Sequence, residues 1–233
     1  AYLSLCHTAH AFDERQSDVD FTALLARRAA RADLAALREV HATIEHNYPA
    51  WKLEGCYLQW EDLGRLPPQV PPGPHCAGGV FHPSGYHDLN PVTWWLLKQG
   101  GIALLGPPPA ALPLALEWGE VAAYMQDNLC TYWRSFTRPS RRMLWLLSDW
   151  GVQWAVLGVC RPWHALRVGA IPSKVQAGQA MLAVCPSRWQ PIVAEGLALR
   201  RGEPSHYRNH WQRANEARAF IAYVICECSA PNC

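Results

Sequence analysis

The sequence predicts an α+β protein: an N-terminal mixed sheet with helices over residues 1–65, a Pro-rich linker over 66–90, and a C-terminal helical bundle over 91–233. Three observations carry this prediction. Up to about residue 60, short runs of β alternation trade places with helical periodicity. Leu66 to Pro74 holds five prolines in nine residues, which neither a strand nor a helix interior accommodates. From Pro91 onward, apolar residues recur at steps of three and four almost to the end.

Taken in order, Val19 to Leu25 reads as a strand with a carboxylate-rich start. Leu34, Leu37, Val40 and Ile44 recur at helical spacing, and Tyr48-Pro49 ends that helix. Lys52 to Gln59 sets Leu53, Gly55 and Tyr57 against Glu54, Cys56 and Leu58, a second strand. Further helices are expected near 91–99, 112–136, 140–168, 173–183, 187–200 and 205–227. Ser140, Ser173, Ser187 and Ser205 stand where N-caps are wanted. In the segment 140–168, Leu144, Leu147, Gly151, Trp154 and Gly158 share one face on which two glycines admit close packing. Pro162 is expected to kink that helix, because it removes a backbone donor and crowds the preceding turn.

The 233 residues suffice for one or two domains. Half of them are hydrophobic, 17% are charged and the net charge is +2, which excludes a disordered tail and a broad nucleic-acid-binding surface. The 12 tryptophans are read mainly as interhelical core. Gly101 to Trp118, the most apolar stretch, is broken by Pro107, Pro108, Pro109 and Pro113 and so cannot cross a membrane as a helix. No basic segment followed by an apolar run opens the chain at Ala1, and the nine cysteines form no CxxC pair, so the expectation is reduced thiols in a cytoplasmic protein. His75, Cys76, His82 and His87 could in principle hold a metal, but they lack regular ligand spacing and read first as a Pro/Gly loop that happens to hold histidines.

The chemistry concentrates at the first strand. Asp18 and Asp20 flank Val19, and alternation along a strand turns both carboxylates to one side. Two converging carboxylates are costly unless a divalent cation neutralises them with hard-oxygen coordination, as Mg²⁺ does while keeping waters and substrate phosphates in its shell. Glu54 stands on the next strand after an intervening helix; if the two strands are neighbours, it can complete a metal-holding triad and accept the proton of an attacking hydroxyl.

The order Tyr2-Leu3, Ala11-Phe12-Asp13, Ser17-Asp18-Val19-Asp20-Phe21 resembles the signature of the nucleotidyltransferase superfamily, a strand running into Gly-Ser, a further Gly and Ser-Asp-x-Asp. Trp51 to Leu58 is similar to that family's third-carboxylate strand. His87-Asp88-Leu89-Asn90-Pro91-Val92-Thr93-Trp94-Trp95, Gly101 to Pro107 and Trp154 to Arg161 resemble the helical half of the streptomycin/spectinomycin adenylyltransferases and their nucleotidyltransferase-like relatives. The resemblance implies transfer of AMP from ATP to a hydroxyl of a small molecule such as an aminoglycoside. It implies Asp18, Asp20 and Glu54 as Mg²⁺ ligands, with Glu54 as the base. Cys6, Ser17, Arg161 and Lys174 take the positions that contact the nucleotide. Asp88, Asp149 and Trp163 are the acids and aromatic available to an acceptor, a polycation needing an acidic, aromatic-lined cleft. It also implies a family helix upstream of Ala1. Where the family has Gly-Ser and a further Gly, this chain has Leu5-Cys6 and His10, which adds bulk to a turn that approaches phosphate. That departure keeps open a second reading, a ligand-binding or interaction protein on the same scaffold.

Overall fold

A computed structural model describes residues 2–5 (backbone only), 17–138 and 141–228. Cys6, His10 and Ser140 lie outside the described residues. The chain divides into two compact units, Ala1–Val121 and Ala122–Cys233.

The first unit is built on a six-stranded mixed sheet of order β5-β4-β3-β2-β1-β6. Its strands are β1 (Tyr2–Leu5), β2 (Val19–Leu25), β3 (Leu53–Gln59), β4 (His75–Ala77), β5 (Val80–His82) and β6 (Ile102–Ala103). β2 and β3 run parallel, and every other pair is antiparallel. Their crossover is helix α1 (Arg31–Asn47), the element a parallel pair requires. Asp33 supports its start by accepting a hydrogen bond from the Ala30 N–H at 2.7 Å. α1 ends where expected, with the Tyr48 N–H closing on the Ile44 carbonyl. Its inward face is Leu34, Leu37, His41 and Ile44, and only His41 is fully buried, while Val40 is exposed. His41 Nε2 meets the Tyr57 hydroxyl at 2.9 Å, and its ring stacks on Phe81.

The stretch expected to be a linker is part of this unit. Val70 is fully buried in a core with Cys56, Leu58, Leu63, Leu89, Trp94, Leu97, Leu112 and Leu114. Residues 75–82 form the β4–β5 hairpin, whose Gly78 and Gly79 have φ of 58° and 80°. Two successive positive-φ residues are what a two-residue hairpin turn demands. Helix α2 (Pro91–Gly100) also belongs here, with the Asn90 side chain accepting from the Thr93 N–H at its start. The division therefore falls between Val121 and Ala122 and not in residues 66–90, because prolines exclude ladder hydrogen bonds without preventing apolar packing.

Helix α3 (Trp118–Cys130) leads into the second unit, which contains α4 (Asp149–Val168), α5 (Lys174–Val184), α6 (Gln190–Arg200) and α7 (His210–Cys228). The expected helix 140–168 is broken: a 3₁₀ segment, Arg141–Leu147, meets α4 at 104°. Ser148 makes the break by capping α4, its Oγ accepting from the Gly151 N–H. α4 then continues through Pro162 without ending. Gly158 lies against the Trp133 ring, where an added Cβ would come within 2.6 Å. The core of this unit gathers Trp133, Phe136, Leu157, Cys160, Trp163, Trp189, Ile192, Phe220 and Val224.

Two expectations need correction. Four tryptophans, Trp94, Trp133, Trp163 and Trp189, are buried, whereas Trp51, Trp60, Trp145, Trp150 and Trp211 are exposed. An indole carries a polar N–H and often stays partly wet, so a high Trp count overstates the core. Cys130 is disulfide-bonded, against the expectation of uniformly reduced thiols, while Cys56, Cys76, Cys160, Cys185, Cys226 and Cys228 are free. Among the described residues, no single helix is long and apolar enough to cross a membrane; the bent pair Arg141–Leu147 and Asp149–Val168 meets that test by length and composition only.

Candidate functional site

The parallel pairing of β2 and β3 sets Asp20 directly beside Glu54. Paired residues on neighbouring strands point to one face, so the two carboxylates converge. Asp18 precedes β2 by one residue and is exposed, Asp20 is half-buried, and Ser17 lies just ahead of both. The Val19 N–H donates to the Lys52 carbonyl at 2.8 Å, which anchors the strand start that carries the two aspartates. Gly55 makes this geometry possible. Its φ is +154°, and a Cβ would lie 1.9 Å from the Phe21 carbonyl oxygen, so only glycine lets β3 approach β2 at this point.

Glu54 is held from a second direction. Its Oε1 accepts from the Gly78 N–H at 2.8 Å, a bond supplied by the turn of the β4–β5 hairpin. Its Oε2 faces His87 Nε2 at 3.7 Å, and the same nitrogen lies 3.3 Å from Asp88 Oδ2. Neither contact is aligned as a hydrogen bond, and His87 Nε2 is a buried atom without such a partner. Asp88 has φ of +52°, the sole non-glycine residue with positive φ among the described residues. That conformation costs free energy in an aspartate, although less than in most residue types, and places the carboxylate alongside the imidazole.

The histidines are organised rather than scattered. His75 and His82 are cross-strand partners in the hairpin, with rings stacked at 4.9 Å. His87 stacks on the other side of His75 at 5.9 Å, nearly parallel. His75 Nδ1 meets the Gly73 carbonyl at 3.2 Å. Parallel rings do not converge their nitrogens, so the three do not make a three-histidine metal site. His87 alone joins Glu54 and Asp88, whose ligand atoms all lie within 4.8 Å of one another.

Electrostatics follow from this packing. The His87 imidazole is held above its ordinary pKa chiefly by interaction with Glu54, with Asp88 and Asp20 adding and burial opposing. Desolvation raises the Asp88 carboxyl, Glu54 adds to that rise and His87 opposes it, although the tip of Asp88 reaches solvent. Burial lowers His75. It pushes the Cys56 thiol up to about 12 and Cys76 up to about 11, so both remain protonated and neither is a nucleophile at neutral pH. The carboxylate-rich strand ends, with all-oxygen donors at Asp18, Asp20 and Glu54, suit a hard cation such as Mg²⁺.

The remaining expected site residues lie in the second unit, except Cys6, which is outside the described residues. Arg161, on α4, donates from Nε to the Pro172 carbonyl at 3.0 Å, two residues before Lys174. Lys174 opens α5, where Ser173 and Gln176 form a reciprocal capping box. Asp149 is paired with Arg213 at 2.7 Å, and Trp163 packs in the core beneath the Arg167 guanidinium. The structure thus gives both Asp149 and Trp163 internal partners. Sequence reasoning noted His87 in a histidine-bearing loop but did not place it beside Glu54. The signal for it was the His87-Asp88 pair immediately before the capped helix α2, but only the hairpin brings that pair to Glu54.

Residues 131–227 match the family model described as aminoglycoside adenylyltransferase, C-terminal domain. A solved structure, the spectinomycin adenyltransferase AAD(9) from Enterococcus faecialis with ATP and spectinomycin, is similar in fold at a TM-score of 0.66 and 13% identity. The match covers 97% of this chain and 90% of that one. No curated protein sequence matches the chain. Both similarities agree with the resemblance to aminoglycoside adenylyltransferases read from the sequence, and the structural one accounts for the α+β architecture.

Proposed function

We propose that this chain transfers an adenylyl group from ATP to a hydroxyl of a small molecule of the aminoglycoside class, releasing pyrophosphate. The observation that carries this reading is the register of β2 and β3, which sets Asp20 beside Glu54 with Asp18 on the same edge. The resemblance to adenylyltransferases supports the donor, and the neighbour solved with ATP and spectinomycin supports the acceptor class.

In this reading Glu54 takes the proton of the acceptor hydroxyl as its oxygen bonds to the α-phosphorus and the bond to pyrophosphate breaks. The Gly78 N–H on Oε1 orients the carboxylate and leaves the proton to Oε2. Asp18 and Asp20 hold Mg²⁺, which when bound neutralises charge on the phosphates. Ser17 and Cys6 lie in the segment assigned to the nucleotide, and Arg161 and Lys174 are the cations assigned to its phosphates. Asp88 is the acidic group assigned to the acceptor.

Pyrophosphate release with Mg-ATP and an acceptor panel that includes streptomycin and spectinomycin tests the reading. Turnover with at least one acceptor is expected, and Asp20→Ala and Glu54→Gln should reduce it to background while circular dichroism stays unchanged. Absence of release with every acceptor, or retained turnover in Asp20→Ala, overturns it.

A further inference from the structure

We propose that Glu54, His87 and Asp88 form a binding site for a divalent cation of the Zn²⁺ class, which shares Glu54 with the hard-cation donors Asp18 and Asp20. Distance is the first argument. A charge-assisted N–H···O pair settles at about 2.7–2.9 Å. His87 Nε2 instead stands 3.3 Å from Asp88 Oδ2 and 3.7 Å from Glu54 Oε2, and neither contact is aligned. Four ligands held about 2.0–2.1 Å from a tetrahedral zinc ion lie about 3.4 Å from one another. The two contacts to His87 therefore have the spacing of ligands around an ion rather than of donor and acceptor.

The second argument is the buried nitrogen. His87 Nε2 is buried and makes no aligned hydrogen bond, and it faces two carboxylates whose charge a cation would offset. A third argument is support from outside the ligand set. The ring stack of His82 and His75 fixes the plane of His87, the Gly78 N–H fixes Glu54, and the left-handed backbone of Asp88 sets its carboxylate beside the imidazole. Such outer contacts orient ligands in metal centres. The donor set then selects the ion: one imidazole with two carboxylates suits Zn²⁺ and its first-row neighbours, whereas Mg²⁺ prefers oxygen throughout. An open fourth position is left for water or a ligand oxygen. Occupancy engages the carboxylate that the adenylyl-transfer reading assigns as base, so on that reading bound Zn²⁺ inhibits turnover.

Equilibrium dialysis of the chelator-treated full chain against Zn²⁺, with Co²⁺ as a spectroscopic stand-in, tests the site without ATP or acceptor. One equivalent of metal and the visible bands of four-coordinate Co²⁺, without a thiolate charge-transfer band, are expected. His87→Ala should weaken binding about tenfold or more. His82→Ala, which alters the stack but removes no ligand, should keep most of it. Wild-type affinity in a folded His87→Ala variant overturns the proposal, as does binding lost in Cys226→Ser or Cys228→Ser, which would assign the metal to thiols. Because the readout is binding alone, failure of the transfer reading leaves it standing, and loss of the metal site leaves the transfer reading standing.

Discussion

Gly55 shows how much one residue decides at the site. It neighbours Glu54, it has a φ that side chains rarely adopt, and its missing Cβ makes room for the Phe21 carbonyl. Gly55→Ala is expected to destabilise the first unit by about 3 kcal/mol, because backbone strain and a backbone clash act together. Urea unfolding followed by Tyr and Trp fluorescence measures the loss. An unchanged midpoint would mean that β2 and β3 can separate at little cost. The positions of Asp20 and Glu54 on strands, with Asp18 just ahead of the first, were legible in the sequence, since alternation along a strand is a local pattern. His87 was not, because a histidine in a loop has no period from which its face or partner can be read. The same limit applies to Arg161, whose partner is a carbonyl 11 residues on, across the turn between α4 and α5.

Among the elements, the ends were harder to read than the existence of helices and strands. Val19–Leu25 is the strand the alternation predicts, and α2 and α5 lie within a residue or so of their expected spans. Of the four serines expected as caps, Ser173 serves, whereas Ser187 and Ser205 do not. The caps are instead Ser148 on α4 and the Asn209 side chain, which accepts from the Trp211 and Gln212 N–H groups ahead of α7. Capping depends on where the backbone leaves its helical conformation, and that is set by packing as much as by the polar side chain. Ser173→Ala removes one half of the capping box of α5 and is expected to cost about 1 kcal/mol, read as a shift in the denaturation midpoint. Ser187→Ala, at a serine that caps nothing, should shift it much less. The β4–β5 hairpin was missed for a related reason: three-residue strands are too short to show alternation, and the Pro-rich stretch before them masks the turn signal of Gly78-Gly79.

The molecule as a whole has two units with different kinds of interior. The first surrounds a mixed sheet with a modest core, and its site lies at the start of the parallel strands. In the second, a buried ionic network supplements the apolar core. Arg213 is fully buried and donates to Asp149, Glu195, Ser205 and the Leu147 carbonyl, while Glu195, also fully buried, accepts in addition from the His206 N–H. The network ties the start of α4 to α6, α7 and the loop between them. Arg213→Met is expected to destabilise the second unit by about 3–5 kcal/mol, since it leaves the buried Glu195 carboxyl without its main partner. Adding Glu195→Gln should recover part of that loss, and a double-mutant cycle in urea measures the coupling. Additive losses would refute a shared network.

The sequence by itself determined the class of fold, the two central strands, most helices and the positions of Asp18, Asp20 and Glu54 near the strand starts, because each is encoded in a local period that alternation or helical spacing exposes. Tertiary structure alone decided that residues 66–90 pack into the first unit, that Asp20 pairs with Glu54, and that His87 and Asp88 join them. Those outcomes depend on register between strands more than thirty residues apart and on a hairpin that folds back over Glu54. A period-two pattern specifies the face of a residue but not the neighbour it meets there.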